Sequence, residues 1–429
     1  MDVLADSDTR WKWGALLARR LDPGCRLTAR FLHARSTPTA RQLEEVGVRP
    51  DGMTEAPLVD YLADAELAET DVLILATTGG VAQSAMHGFA RRWAGRERRP
   101  ILVTGYVGVV YEKMTDGLLL RAGADVVLAN SAFDADRFRT VYDGVGVPSS
   151  SIVETGLPFL HGRTYDADAV ARGERRYTVC FAAQPSSPQS KGERLHILER
   201  AARHARLHPE RDVLVKLRSL PGEHTTHLED FPYQLLLSKV EGVPANLRLV
   251  YGNMGEVLDG TDLSVTVSST AALESMQRGI PTAILTDLGV REALGNHYFV
   301  SSGCLASWDE LDAGAAPVAD PAWLRANGVL PNDADPFVAL RERLDELVAE
   351  RDANGLPELR PYYSMSRAGG YLSGLLRRQG LEEDGGPRPR SPEGSGRSAV
   401  RRFARRSMRS AYRVAANRLA PVIRRWGQL

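Results

Sequence analysis

Short, near-continuous runs of Val, Ile and Leu recur in two separate parts of this chain, each followed by an amphipathic or turn-rich stretch. In the first part they are VLAD at 3–6, RLTARFLH at 26–33, DVLILATTGG at 71–80, PILVTGYVG at 100–108, ADVVLANS at 124–131 and SIVETG at 151–156. In the second part they are YTVCFAAQP at 177–185, VLVKLRS at 213–219, NLRLVYG at 246–252, DLSVTVSS at 262–269 and PTAILTD at 281–287. A strand that is apolar on both faces must be covered on both faces. Helices returning between successive strands provide that cover and make the sheet parallel. The pattern therefore predicts an α/β protein with two doubly wound sheets.

The expected organisation is two Rossmann-like domains facing a cleft, with a helical C-terminal extension. The first domain is predicted at 1–163 and the second at 177–335, joined by a polar linker at 164–176 with no strand pattern. Helices are predicted over 336–380. A disordered linker rich in Gly, Pro, Ser and charge is expected at 381–397, and a basic amphipathic helix at 398–429. Ligands of open α/β sheets bind at the carboxyl ends of the strands, so the cleft is the expected site.

Charge separates the body from the tail. The 429 residues carry 54 Lys plus Arg and 54 Asp plus Glu. Residues 397–429 hold ten Arg and no acid, which leaves the rest acidic, with 44 basic against 54 acidic groups. Apolar residues such as Val400, Phe403, Tyr412 and Leu419 fall near one face of the tail, the pattern of a helix lying on anionic lipid. A peripheral position on the inner face of the plasma membrane is expected, with no specific nucleic-acid partner. Cys25, Cys180 and Cys304 are far apart and form no metal or redox motif. With no signal-peptide pattern and no apolar run near 20 residues, they point to a reducing cytoplasm. A P-loop, a nucleophile elbow and a G-x-G-x-x-G fingerprint are all missing from the sequence.

The most informative segment is TVSSTAALESMQRGIPTAIL, 266–285. A strand ends in Ser268, Ser269 and Thr270, and a helix starts at once. Hydroxyls and free N–H groups at a helix start suit a phosphate. Glu274, one turn in, is placed to accept hydrogen bonds from ribose hydroxyls. Gly279 and Pro281 end the helix and open the next strand. In the first domain, Asp8 follows the first strand and is a candidate general base on an acceptor hydroxyl. Glu112 is the second candidate. Asp6, Trp11, Trp13, Gly79 and Gly105 are expected on the acceptor side, with the tryptophans stacking on sugar faces. His297 is a candidate cleft residue. His224 and His227 are not read as metal ligands, and no metal site is expected.

The strand–SST–AALES–RGIP–strand arrangement, with CFAAQP at 180–185, resembles the nucleotide-sugar-binding half of GT-B fold glycosyltransferases. It is most similar to bacterial sialyl- and polysialyltransferases and capsule polysaccharide enzymes, over residues 177–287. The resemblance implies donor phosphate at Ser268, Ser269 and Thr270. It also implies a metal-independent transferase with no cofactor, the nucleotide sugar being substrate. The acceptor would be a glycan or a lipid-linked saccharide, in cell-surface polysaccharide or glycolipid synthesis. Lys191, in the loop before a helix, is a further donor-phosphate candidate. One departure matters: those families carry a His-Pro pair where this chain reads VLVKLRSLPGEH, 213–224. Lys216 is kept and Arg218 stands near the histidine position, which makes a nucleoside diphosphate sugar as compatible as a CMP-sugar. The alternatives are a UDP-sugar 2-epimerase-like enzyme and a non-catalytic, membrane-associated scaffold on the same fold.

Overall fold

The computed structural model describes residues 1–33, 37–96, 98–109, 114–220, 223 and 229–389. Residues 1–387 form one compact unit. Its strands are β1 Asp2–Ala5, β2 Thr28–Leu32, β3 Gly52–Ala56, β4 Val72–Ala76, β5 Ile101–Gly105, β6 Val126–Ala129 and β7 Ile152–Glu154 in the first part. The second part supplies β8 Thr178–Ala182, β9 Asp212–Lys216, β10 Leu247–Val250, β11 Leu263–Thr266, β12 Thr282–Leu285 and β13 Leu305–Ala306. The first sheet has the order β3-β2-β1-β4-β5-β6-β7 and the second β10-β9-β8-β11-β12-β13. All pairings in both are parallel. Each order reverses direction once, between β1 and β4 and between β8 and β11, and such switch points are where open sheets leave a crevice.

The sequence pattern located eleven of these strands. It missed β3 and β13, and the reason is physical. β3 reads GMTEA with three exposed residues at the edge of its sheet, and β13 is only two residues long. Neither has the double-faced burial that makes a strand legible.

Helix starts follow local chemistry. Ser7 caps the Asp8–Leu21 helix by accepting from the Arg10 amide, with Asp8 in the first turn and Arg19 and Arg20 in the last, matching the helix dipole. Gly279 ends the Ala271–Arg278 helix at φ 80°, a left-handed position that only glycine adopts without strain.

The C-terminal extension returns to the first domain. Leu340, Leu344 and Leu347 of the Val338–Asn354 helix join the core built around Val3, Trp11 and Ile74. Leu372 and Leu376 of the Met365–Arg378 helix join the opposite layer with Leu62 and Phe89. The connecting segment passes over Gly123, where φ is 111° and a Cβ would lie 2.7 Å from Pro361 Cα. The first part of the linker expected to be disordered from 381 is ordered instead. Leu381 is buried in that core and forms an antiparallel bridge with Pro387. Residues 390–429, with the expected basic helix, lie outside the described residues. Among the described residues, no helix is long and apolar enough to cross a membrane.

Candidate active site in the interdomain cleft

The corner after β11 is held from below. Thr266 Oγ1 donates to the Ala182 carbonyl at 2.8 Å and accepts from the Ser269 amide at 3.2 Å. The Ser268 amide donates to Gln184 Oε1 at 3.0 Å, and its hydroxyl reaches the Leu294 carbonyl. Ser269 Oγ accepts from the Ala271 amide at 3.2 Å. Thr270, the N-cap residue of the Ala271–Arg278 helix, makes no side-chain cap bond. The first amides of this helix are thus already bonded, Ala271 to Ser269 Oγ and Ala272 and Leu273 to the carbonyls of Ser269 and Thr270, and what the helix start offers the cleft is the Thr270 side chain and the positive end of the helix.

Around it lies a cavity of about 350 Å³, within the range of small-ligand sites. The second domain supplies the β8 end at Ala182–Ser186, the β9 end at Lys216–Arg218, the 252–254 turn and Ser268–Ala271 with Glu274. The first domain supplies Asp8, Thr9, Lys12, Gln42, Glu45, Gly108 and Val109. The cavity thus sits at the β8/β11 switch point, with the first domain's opening helix as its far wall.

The charges in it are interleaved. Arg218 forks onto Asp8, with Nη2 2.5 Å from Oδ1 and Nε 3.2 Å from Oδ2, and it also donates to Thr9 Oγ1. Lys12 Nζ lies 3.4 and 3.5 Å from the two oxygens of Glu274, and 4.8 Å from the centroid of the Phe159 ring. Glu274 is only 6% exposed. Lys216 is buried and donates to the Leu217 carbonyl at 2.7 Å, and burial holds its ammonium below the usual lysine range. Outside the cavity's centre, Arg41 Nε donates to Glu223 at 2.7 Å, and Asn253 Nδ2 donates to the Glu45 carbonyl at 2.7 Å.

Of the residues singled out from sequence, the structure gathers Asp8, Lys216, Arg218, Ser268, Ser269, Thr270 and Glu274 around one cavity. Others lie elsewhere. Trp11 and Trp13 are 0% exposed and cannot stack on a sugar. Trp11 meets Phe31 edge-on at 5.5 Å, and Trp13 closes over Gly105, whose Cβ would lie 3.1 Å from its ring. The Asp8–Leu21 helix is simply apolar on the face that carries them. Gly105 is thus a packing glycine, and Gly79 opens the Gly79–Trp93 helix against Leu120 and Arg121. Asp6 is buried, paired with Arg10 at 2.8 Å and accepting from the Thr78 amide at 3.2 Å. Lys191 is exposed at the start of the Lys191–Leu207 helix and does not line the cavity. His297 is half-buried in the Asn296–Phe299 turn, also outside the lining. Glu112, His224 and His227 lie outside the described residues.

Sequence reasoning missed Lys12, Gln184, Glu45 and Asn253. Lys12 was recoverable, since it stands four residues after Asp8 and shares its helix face. Glu45 and Asn253 carry no local signal, because only the approach of two domains makes them neighbours. Among the described residues, His204, His208 and Asp312 offer ligand atoms within 4.8 Å of one another. Asp312 already pairs there with Arg200 at 3.3 Å and His204 at 2.8 Å, which ties two helices of the second domain together.

Two doubly wound domains, closing on a cavity at a switch point, define the GT-B class. Within it, the chain belongs to the family described as "Putative glycosyltransferase (DUF6716)", matched over residues 1–347. The fold is shared with a Methanocaldococcus jannaschii UDP-GlcNAc 2-epimerase solved with UDP-GlcNAc and UDP. Identity is 11%, with 81% of this chain and 99% of that one covered, at a TM-score of 0.50. S. aureus MnaA, solved with UDP, has 12% identity, 85% and 99% coverage and a TM-score of 0.49. A UDP-glucosyltransferase from Polygonum tinctorium has 14% identity, 88% and 98% coverage and a TM-score of 0.45. No curated protein matches the chain by sequence.

Proposed function

We propose that this protein transfers a sugar from a nucleoside diphosphate sugar to a hydroxyl of a glycan or lipid-linked acceptor. The observation that carries the reading is the start of the Ala271–Arg278 helix at the cavity, where the Thr270 side chain makes no cap bond beside Ser269 and Arg218, with Glu274 buried one turn further in. The donor diphosphate would sit at the Ser269 and Thr270 side chains, by the positive end of the helix, and Glu274 would accept from the ribose hydroxyls. In transfer, the acceptor oxygen bonds to the anomeric carbon while the bond from that carbon to the diphosphate breaks. The acceptor proton passes to a base, for which Asp8 is the carboxylate on the opposite wall. Arg218, Lys216 and Lys12 would hold the charge that collects on the leaving diphosphate.

Calorimetry with UDP-, GDP-, ADP-, TDP- and CMP-sugars tests the donor site. One nucleoside diphosphate sugar should bind, and Glu274→Ala should weaken it roughly 10–100-fold, the worth of lost hydrogen bonds to a charged acceptor. Failure of every nucleotide to bind, or binding indifferent to both Ser269→Ala and Glu274→Ala, would remove the assignment. Product analysis separates transfer from 2-epimerisation, since an epimer forms without any acceptor. Transfer is the better supported of the two, because the family description names it.

A further inference from the structure

Among the described residues, the charged side chains lining the cavity are three acids and three bases: Asp8, Glu45, Glu274, Lys12, Lys216 and Arg218. A cavity with no net charge is a poor receptor for a nucleoside diphosphate, which brings two or three negative charges. The pairing shows how it can become a good one. Arg218 from the second domain is held by Asp8 of the first, and Lys12 of the first is held by Glu274 of the second. Each cation is thus stored on a carboxylate of the opposite domain. Both pairs border the corner at Ser268–Thr270.

Resting on the donor-site reading above, we propose that Lys12 and Arg218 are ligands of the donor diphosphate and that donor binding exchanges their partners. The diphosphate takes Arg218 from Asp8 and Lys12 from Glu274. A guanidinium that forks onto a carboxylate has the geometry to fork onto a phosphate instead. The exchange leaves Glu274 with both oxygens free for ribose hydroxyls. It also leaves Asp8 uncovered, so the candidate base can accept a proton only once a donor is in place. Arg218 is a positioning residue for Asp8 in the empty site and a binding residue in the filled one. Lys12 extends the donor site into the first domain, so that one ligand bonds to both domains.

The exchange makes Asp8 a competitor of the ligand. Removing its charge should tighten nucleotide binding even as it abolishes transfer. A double-mutant cycle separates exchange from simple repulsion. UDP is the probe, titrated calorimetrically into the full chain, with GDP, ADP, TDP and CMP as further probes if UDP is not the cognate nucleotide. Asp8→Asn should bind about 10-fold more tightly than wild type, and Arg218→Met about 10-fold or more weakly, each tenfold being 1.4 kcal/mol. In the Arg218→Met background, Asp8→Asn should give no tightening, because there is no guanidinium left to release. Asp8→Ser, which keeps a good residue at the helix start, repeats the measurement if Asp8→Asn folds poorly. Equal tightening in both backgrounds would reduce Asp8 to a distant repelling charge and overturn the exchange. So would no tightening in either, while wild-type binding stands. Failure of wild type to bind any nucleotide removes the donor site itself, a distinct outcome.

Discussion

Two corners of this molecule have the same local grammar. After β1 come Asp6, Ser7 and Asp8, and after β11 come Ser268, Ser269 and Thr270, each triplet leading straight into a helix. Asp8 of the first corner lines the cavity, but the two residues before it are consumed by their own structure. Ser7 Oγ caps the helix, Asp6 clasps Arg10 and the Thr78 amide, and the next two aromatic residues are sealed in the core. The second corner is braced from behind by Thr266, Gln184 and Leu294, Ser269 Oγ accepts from the Ala271 amide, and the Thr270 side chain caps nothing. Polar residues at a strand-to-helix corner are thus no guide to a site by themselves. The difference lies in whether the residues just ahead of the helix line a cavity, as Ser268, Ser269 and Thr270 do and Asp6 and Ser7 do not.

Breaking the comparison hardest means attacking the sealed corner. Trp13→Ala should destabilise the fold by about 3–5 kcal/mol, as large buried aromatics do when truncated. Urea denaturation would register it as a lower midpoint. An unchanged midpoint with a raised acceptor KM would instead return Trp13 to the acceptor surface.

A gentler test sets the two caps against each other. Ser7→Ala should cost about 1 kcal/mol of stability, the usual worth of a lost cap. Thr270→Ala should change stability by less than about 0.5 kcal/mol, yet weaken nucleotide binding. If both substitutions lower the denaturation midpoint equally and neither touches binding, the corners are alike after all.

A pH-dependent effect comes from a third corner, after β6, where Ser131 caps the Ala132–Gly144 helix by accepting from the Asp134 amide at 3.1 Å. Asp134 is buried and burial pushes its carboxyl up to about 6, with Arg137 and Ser131 pulling the other way. The folded state therefore holds this proton more tightly than the unfolded chain does. Its contribution to stability is full below about pH 4 and is lost as pH rises through about 6. Asp134→Asn should flatten that part of the stability curve and be relatively more stable than wild type at pH 7. Parallel urea midpoints for the two proteins between pH 4 and 7 would contradict it.

Much of the fold was legible because burial on both faces writes itself into composition. β1, β4, β5 and β6 are near-continuous apolar runs, and the SST–AALES–RGIP segment shows a strand end, a helix start and a left-handed stop in order. The second domain's share of the cavity lining was largely legible, since Lys216, Arg218, Ser268, Ser269, Thr270 and Glu274 are neighbours in sequence or end adjacent strands, although Lys191 lies outside it. The first domain's share, Asp8 apart, was not. Trp11 and Trp13 look the same on paper whether a helix presents them to solvent or to Phe31 and Gly105. The segment at 381–389 has the composition of a linker, yet Leu381 finds a slot against the Met365–Arg378 helix that only the returning chain creates.

The sequence by itself determined two parallel sheets, the strand-to-helix corner at 268–270 and the closeness of Ser269, Thr270 and Glu274 to one another, because these depend on periodicity and short spacings. Tertiary structure decided which helix faces are sealed, and it brought Lys12 to Glu274 and Arg218 to Asp8 from more than 200 residues away in the chain. Nothing local encodes such a pairing. Carboxylate and cation are each ordinary surface residues until two domains meet and remove the water between them.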